Sequence, residues 1–448
     1  MLSAFTNSLK IPELRQRIFF TCALLFLCRM LAVIPLPGVD VVALQGIVDR
    51  ITQGSGVGFL GLLDLFSGGA LTAAAIGALG IMPSISASII LQLMTAVIPS
   101  LERLAREGDS GRQKIIQYGR YLTVFLCVVQ GFGFAAALLH PSRFLGAAAE
   151  GTRIVLLGNV PFLLLAVLAM TTGTMLLMWF GEQITARGIG NGISLIITVS
   201  IVSRLPGAIE QTIAMFHTGD ANIFKLIVII ALAFLVTAGV VAVTQAQRKI
   251  PVQYAKRVVG RKTYGGQSTY MPLRVNYSGV MPIIFASAIL MFLGRVLEWI
   301  PFTKNFAQTH LTREASFFYI AIYGLLILFF SYFWVATQFH PVQIADDLKK
   351  YGGYVPGIRP GKPTAEYLDK TMTRITLAGA IFLTIIAVLP IILLPMLKIP
   401  QLVAQFFGGT SLLIIVGVML DTMRQVESHL VTRHYDGFLR KGHLRSRR

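Results

Sequence analysis

Hydrophobic residues form long runs along most of the chain, and short polar segments separate the runs. A helix of about 20 apolar residues is long enough to cross a hydrocarbon layer of roughly 30 Å. The pattern predicts ten such helices, at residues 18–36, 76–97, 121–139, 154–180, 188–205, 222–244, 275–297, 316–337, 375–396 and 404–421. We therefore expect an all-α polytopic membrane protein, and a composition that is 55% hydrophobic and only 13% charged supports this.

The positions of the basic residues predict how these helices are oriented. The chain carries 39 Lys and Arg against 20 Asp and Glu, which gives a formal net charge of +19. With a cytoplasmic amino terminus, 29 of the 39 basic residues fall on the cytoplasmic side, in residues 1–17, 98–120, 181–187, 245–274, 338–374 and 422–448. Because basic loops remain in the cytoplasm, both termini are expected there. The first apolar run has no small-residue cleavage site behind it, so we expect no cleaved signal peptide.

Ten helices divide into two sets of five. Since five is odd, the second set must enter the membrane from the opposite side, so any repeat is inverted. Inverted halves commonly enclose a pathway where they meet. We expect an N-terminal half at 1–205, a C-terminal half at 206–421 and a basic cytoplasmic tail at 422–448.

Two of the cytoplasmic loops, 245–274 and 338–374, are long and basic. Positive loops often do no more than fix the topology of a membrane protein. Here Tyr, Gln and Gly alternate with Lys and Arg over some thirty residues, which exceeds that need. We favour a docking surface for ribosomal RNA phosphates or for an acidic protein face.

Ionisable side chains are scarce inside the predicted spans. Asp64, Glu182, Glu298 and Asp421 lie at or beyond span ends, whereas ion-coupled transporters keep carboxylates near mid-membrane. Arg29 is the clearest charge within a span, where it either pairs structurally or extends its head group outward. The sequence shows no metal-ligand cluster, catalytic Ser-Lys pair or phosphate-binding loop, and its three cysteines read as packing residues. We expect neither an enzyme nor a cofactor.

Isoleucines recur at helical spacing in two of the spans. Ile81 and Ile85 are four residues apart, as are Ile193 and Ile197, so each pair shares one helix face. Periodicity alone assigns such residues to lipid contact or packing. Asn191 precedes the second pair and is expected to cap the start of its helix.

The stretch FLGLLDLFSGGALTAAAIGALGIMPSIS, at 59–86, is apolar but interrupted by glycines and by Pro83. We expect the span that follows to break near its start at Pro83. From its residues alone, the earlier part reads as an irregular re-entrant segment.

Several motifs together resemble the SecY family, the main subunit of bacterial protein-conducting channels. They are FSGGAL, ALGIMPSISASIILQL, EGDSGRQKIIQYGRY, TGTMLLMWFGEQITARGIGNGISLI, GVMPIIFASAI, YVPGIRPG and FGGTSLLI, and the likeness runs from about residue 5 to 440. The resemblance implies a ten-helix hourglass of two clamshell halves in the bacterial cytoplasmic membrane. Unfolded polypeptides would cross its waist or leave sideways into lipid. The implied partners are SecE-like and SecG-like small membrane subunits, a SecA-like motor ATPase and the ribosome.

The resemblance also implies roles for particular residues. A pore ring would consist of Ile81, Ile85, Ile193, Ile197, Ile284 and Ile414. A plug at about 58–75 would include Leu62, Leu63, Leu65, Phe66, Ser67, Gly68 and Gly69. A lateral gate would use Ser86, Ser88, Gln92 and Asn276, although small polar residues also serve as ordinary packing contacts between membrane helices. Partner docking would use Arg359, Lys256 and Arg257.

The chain departs from the family pattern at three places. Lys256 occupies a position where arginine is frequent, and Ser84 one where an aromatic residue is more common. His340, Pro341 and Gln343 replace a more usual Asn-Pro and acidic pattern. Lysine keeps the charge but lacks the planar fork of arginine.

The alternative function is an inverted-repeat secondary transporter of a small solute.

Overall fold

The computed structural model describes residues 11–44, 46–47, 67–141, 154–217, 223–254, 257–259, 262–264, 268–277, 279–299, 302–303, 306–311, 316–397, 399, 403 and 409–441. The chain divides into two compact units. The first consists of Met1–His217, Gln401–Phe406 and Val418–Arg448, and the second of Thr218–Pro400 and Phe407–Gly417. The division into two inverted halves of five helices stays a prediction.

The described part of the first unit is helical. Its helices, in chain order, are α1 Pro12–Val33, α2 Met82–Val97, α3 Pro99–Arg106, α4 Asp109–Leu139, α5 Asn159–Arg187, α6 Gly192–Val202 and α7 Leu205–His217. Helix α5 packs against α1, α4 and α6, and α2 packs against α4. Helix α2 begins at Met82, so Pro83 lies in its first turn, where a missing N–H leaves no helix bond unmade. The expected break near Pro83 is therefore a helix start.

The second unit combines helices with a small sheet. Its helices are α8 Ile223–Gln245, α9 Met281–Trp299, α10 Phe317–Gln338, α11 Pro341–Lys350 and α12 Lys362–Met396, with a π-helical turn at Ala307–Leu311. Its strands are β1 Gln247–Tyr254, β2 Arg257–Val259, β3 Lys262–Tyr264, β4 Ser268–Arg274 and β5 Gly353–Tyr354. The last helix, α13 Gly409–Lys441, starts in the second unit and continues in the first.

Seven helices in the described residues are long and apolar enough to cross a membrane, or up to eight if the bent pair formed by α2 and α3 is one span. Within the most apolar stretch of these seven helices, only 17% to 44% of the residues are buried in the protein. The other apolar side chains, such as Phe26 and Leu168, face outward, as lipid contact requires. The expectation of a multi-pass all-α membrane protein is confirmed.

Small residues allow the helices of the first unit to pack closely. One core cluster joins residues 36–47 and 74–78 to the end of α4 and the start of α5. Four of its members are alanines, at positions 74, 78, 135 and 166. Gly173 on α5 has the same role, since an added Cβ there would lie 2.5 Å from the carbonyl oxygen of Ile76.

The described parts of the two long basic segments, 245–274 and 338–374, are folded, which the hydrophobic pattern did not predict. Strand β1 pairs antiparallel with β4 from Gln247 opposite Arg274 to Gln253 opposite Ser268, and with β5 at Gln253 and Tyr254. A shared apolar cluster supports this sheet; its buried members are Ile250, Leu273, Val335, Phe339, Val355, Leu368, Met372 and Ile375. The cluster ties both segments to α10 and α12, so they form one surface rather than two free loops.

Candidate functional site

Residues 67–81, which we call the connecting segment, lead into α2 through a series of tight turns. The hydroxyl oxygen of Ser67 accepts a hydrogen bond from the N–H of Leu71 at 3.2 Å. The N–H of Ala75 donates to the carbonyl of Ala70 at 2.8 Å. Such internal bonds provide partners for backbone N–H and C=O groups in a segment that is largely buried but not helical.

The downstream part of the connecting segment is bonded to the end of α1. The N–H of Ile76 donates to the carbonyl of Ile34 at 2.9 Å, and the N–H of Gly77 donates to that of Leu31 at 3.0 Å. Two backbone bonds to a neighbouring helix fix both the position and the register of the chain here. The start of α2 is therefore anchored to α1.

The upstream part of the connecting segment contacts two arginines. Arg29, on α1, donates from Nη1 to the carbonyl of Gly68 at 3.1 Å. Arg204, just after α6, donates from Nη2 to the hydroxyl of Thr72 at 3.1 Å. The sequence left two roles open for Arg29, which were structural pairing and outward extension of its head group. The structure shows the first, because the guanidinium group bonds within the protein. Arg204 was not singled out, because it lies at a span end, where a charge needs no special explanation.

The plug prediction is only partly within the described residues. Leu62, Leu63, Leu65 and Phe66 lie outside them. Ser67 and Gly68 are buried and Gly69 is partly buried. Both glycines have positive φ, 65° and 95°, a backbone conformation that disfavours residues with a Cβ. The backbone conformation at both positions therefore favours glycine, whatever the function of the segment.

Three of the four isoleucines predicted for the pore ring in the first unit are buried. Ile81 and Ile85 are 2% and 6% exposed, and Ile197 is 2% exposed. Ile193 is half-buried. Its side chain lies close to α5, because a Cβ on Gly181 would meet Ile193 Cγ1 at 3.4 Å. None of these four points fully outward to the lipid.

A cavity lies beside Ile81. Its volume is only about 20 Å³, and its lining includes Arg29, Ser67, Ile81, Ile196 and Ser200. The connecting segment, α1 and α6 all contribute to its wall. One pore-ring candidate therefore shares a cavity with an arginine that bonds the connecting segment.

The second unit contains the other two pore-ring candidates. Ile284, on α9, is 2% exposed, and Ile414, on α13, is 1% exposed. The two helices approach closely in this unit, since a Cβ on Gly417 would lie 2.4 Å from Val280 Cγ1. The six isoleucines remain a predicted ring, of which five are buried.

The predicted gate residues differ in their exposure and in their hydrogen-bond partners. On α2, Ser86 is half-buried while Ser88 and Gln92 are exposed. The Ser88 hydroxyl donates to the carbonyl of Ser84 at 2.9 Å within the same helix. Asn276, in the second unit, is buried and donates from Nδ2 to the carbonyl of Gly279 at 3.0 Å. These residues stay a predicted gate.

Of the three predicted docking residues, the structure describes the side chain of Arg359 alone. Arg359 is exposed in the turn between β5 and α12. Its carbonyl accepts a hydrogen bond from the Thr364 hydroxyl at 2.8 Å, so the backbone is fixed while the side chain is in solvent. Lys256 lies outside the described residues. Arg257 belongs to β2, and its side chain is not among the described ones.

Some of the other charged groups in the described residues form ion pairs. Arg120 on α4 makes a two-bond pair with Glu182 on α5, at 2.7 and 3.2 Å, and both side chains are partly exposed. Within the described residues no group of three His, Cys, Asp or Glu is placed to hold a metal ion. The three cysteines are free.

The SecY family model matches residues 75–423. The chain belongs to the SecY family. The protein translocase subunit SecY of Thermotoga maritima is 44% identical to it over 451 residues, covering 100% of both chains. The SecY subunit of Streptomyces scabiei is 46% identical, covering 98% of this chain and 100% of the relative. That of Thermus thermophilus is 45% identical and covers 100% of both. SecY is a translocation-channel family, so the expectation of a protein that is not an enzyme is confirmed.

Solved structures show the same fold. A protein-conducting channel aligns with a TM-score of 0.62 at 17% identity, covering 93% of this chain and 92% of that one. A SecY protein whose plug domain stabilises the closed state of its translocation channel aligns equally well, at 18% identity. Sec61 in a canine ribosome-channel complex aligns with a TM-score of 0.58 at 16% identity. The fold is that of the SecY and Sec61 channels, and the predicted ten helices are consistent with it.

Proposed function

We propose that this protein is a channel through which unfolded polypeptides cross, or enter, the bacterial cytoplasmic membrane. The observation that carries the proposal is its likeness, at about 45% identity over the whole chain, to bacterial protein translocase subunits. The multi-pass fold and its outward-facing apolar side chains support a membrane location. The distribution of basic residues supports cytoplasmic termini.

In this proposal the six isoleucines form the seal of the pore. Branched aliphatic side chains make a deformable constriction that excludes water and ions by dewetting, without any charged filter. Such a seal does not read the sequence of the chain that passes through it. The burial of five of the six side chains supports the assignment.

The seal is tested with the double variant Ile85→Ala and Ile197→Ala. We expect purified channel complexes that carry it to leak ions in planar bilayers while they still translocate protein, because the wider constriction admits water. Each substitution costs about 2–5 kcal/mol of folding stability, so conductance is compared only between folded, purified complexes.

The matched control is Ile184→Ala with Ile327→Ala. Both of these isoleucines are fully buried, on α5 and α10, and neither belongs to the proposed ring. The control should have a similar stability cost without an ion leak. Loss of translocation without a leak in the ring variant, or equal leaks in both variants, would contradict the ring.

The plug and the lateral gate complete the proposed mechanism. Residues 58–75 would block the pore at rest, a role that the plug domain of a SecY structure with this fold has. Ser86, Ser88, Gln92 and Asn276 would bias the sideways exit toward closure. Bonds between such groups in membrane helices are worth roughly 1 kcal/mol each, so a hydrophobic signal helix displaces them readily.

External partners would supply the driving force, because the sequence shows no nucleotide-binding motif. We propose a SecA-like ATPase or the ribosome on the cytoplasmic surface, at Arg359, Lys256 and Arg257, and SecE-like and SecG-like subunits in the membrane. The Sec61 channel with this fold occurs in a complex with a ribosome. A secondary transporter is not favoured, since the relatives and the solved structures named above are translocase channels.

A further inference from the structure

The upstream end of the connecting segment is held by side chains. Arg29 bonds the carbonyl of Gly68, and Arg204 bonds the hydroxyl of Thr72, each at 3.1 Å. The two arginines come from different elements, α1 and the turn after α6. They therefore contact the same short stretch from two sides.

The two glycines make room for these guanidinium groups. A Cβ on Gly68 would lie 2.5 Å from Arg29 Nη1 and 2.9 Å from the Cα of Ser200. A Cβ on Gly69 would lie 3.2 Å from Arg204 Cζ. The glycines thus serve two purposes, because they also provide the positive φ of this turn.

The downstream end is held in a different way. Backbone hydrogen bonds join residues 74–77 to the end of α1 at residues 31–36. The backbone changes direction within this stretch at Ala74, whose φ is +42°. One end of the connecting segment is therefore attached through arginine head groups, and the other is attached through its backbone.

We propose that Arg29 and Arg204 form a latch that holds residues 67–73 against α1 and α6 in the closed channel, with residues 74–77 as the fixed tether. This inference rests on the proposed role of residues 58–75 as the plug. In the closed state each guanidinium has a protein oxygen as its partner, and charge-assisted bonds of this kind are the stronger ones. When the channel opens, entering water replaces those oxygens. The exchange favours the closed state only modestly, so the latch releases reversibly once the pore is hydrated.

The latch is tested with Arg29→Met and Arg204→Met, each compared with the corresponding lysine variant. Methionine keeps much of the side-chain volume but removes the donors, whereas lysine keeps a charged donor. In reconstituted complexes at rest, we expect the methionine variants to raise ion conductance. Hydrogen exchange of backbone amides in residues 67–73 should rise about tenfold or more, while that in 74–77 rises less. The lysine variants should restore much of the closed behaviour.

Two milder comparisons serve if a methionine variant fails to fold. Thr72→Val removes the hydroxyl that Arg204 contacts, and Thr72→Ser keeps it, so only the valine variant should leak.

Gly68→Ala places a methyl group against Arg29, and Gly108→Ala is its control. Gly108 also has a positive φ, 84°, but open space around it, so the control separates the effect of a positive φ from that of the contacts with Arg29 and the Ser200 backbone. Gly68→Ala should leak, and Gly108→Ala should not.

The outcomes separate the latch from the proposed function. If unaltered complexes translocate protein but neither the methionine variants nor Thr72→Val change conductance or exchange, the latch is wrong and the channel stands. If exchange rises equally throughout residues 67–77, the fixed tether is wrong. If unaltered complexes do not translocate protein with a motor ATPase, the proposed function itself fails.

Discussion

At the scale of single residues, Ala74 is the clearest departure from ordinary backbone geometry. It is fully buried and has a φ of +42°, which a residue with a Cβ rarely adopts. The strain is of the order of 1 kcal/mol. It is imposed by the surroundings, because the carbonyl of Ala74 accepts a bond from Leu36 and the next residue donates to Ala70. The chain tolerates the strain in order to make these bonds.

Ala74→Gly should therefore leave stability unchanged or raise it by up to about 1 kcal/mol, because glycine adopts this conformation without strain. The control is Ala166→Gly, an equally buried alanine inside α5. There the same change should cost about 1 kcal/mol. Thermal-unfolding midpoints of the two variants in detergent check the difference. Equal losses at both positions would show that Ala74 is not strained.

The sequence predicted some single-residue features but could not predict their partners. Asn191 was predicted to cap a helix from its residue type and place alone, and its side chain accepts a bond from the N–H of Ser194 at 3.2 Å, which confirms the prediction. Arg29 was noticed as a charge in a span, yet its partner Gly68 lies 39 residues away. Such a bond depends on how helices pack, which periodicity does not specify.

At the scale of elements, the long apolar helices were predictable and the sheet was not. The predicted hydrophobic spans correspond to helices α1, α4, α5, α8, α10 and α12 of the structure. Strand β1 has mostly exposed polar residues, with Ile250 and Val252 as its buried positions, so its alternation is short and easily missed. Its pairing with β4 and β5 depends on chain segments that are distant in sequence.

The start of α6 offers a test at this scale. Asn191→Ala should destabilise the protein by about 1 kcal/mol, because the N–H of Ser194 loses its acceptor. Asn191→Ser keeps a capping oxygen and should cost much less. Thermal unfolding of the purified complexes measures both effects. If alanine and serine behave alike, the cap contributes little, and the turn before α6 is held by other bonds, such as that from the Gly190 N–H to Gln425.

At the scale of the whole molecule, positive charge is distributed unevenly along the chain. The charged pairs that the structure describes, such as Arg120 with Glu182, join the ends or surfaces of helices. In the function proposed above, the protein is a channel that external partners drive. Most of its positive charge was assigned to one side of the membrane from sequence alone, and this assignment directs attention to the cytoplasmic surface as the place where a motor would act.

Arg359→Glu tests whether a motor partner docks on that surface at Arg359. The side chain is exposed while its backbone is fixed by Thr364, so a charge reversal should change stability by no more than about 0.5 kcal/mol. Reversal places like charges against an acidic partner, so ATP-driven translocation into vesicles should slow by roughly tenfold or more. Lys370→Glu makes the same charge change at another exposed site, further along α12, and should slow it much less. If both variants lose protein abundance and translocation in parallel, Arg359 has a folding role; if neither slows translocation, the motor acts elsewhere.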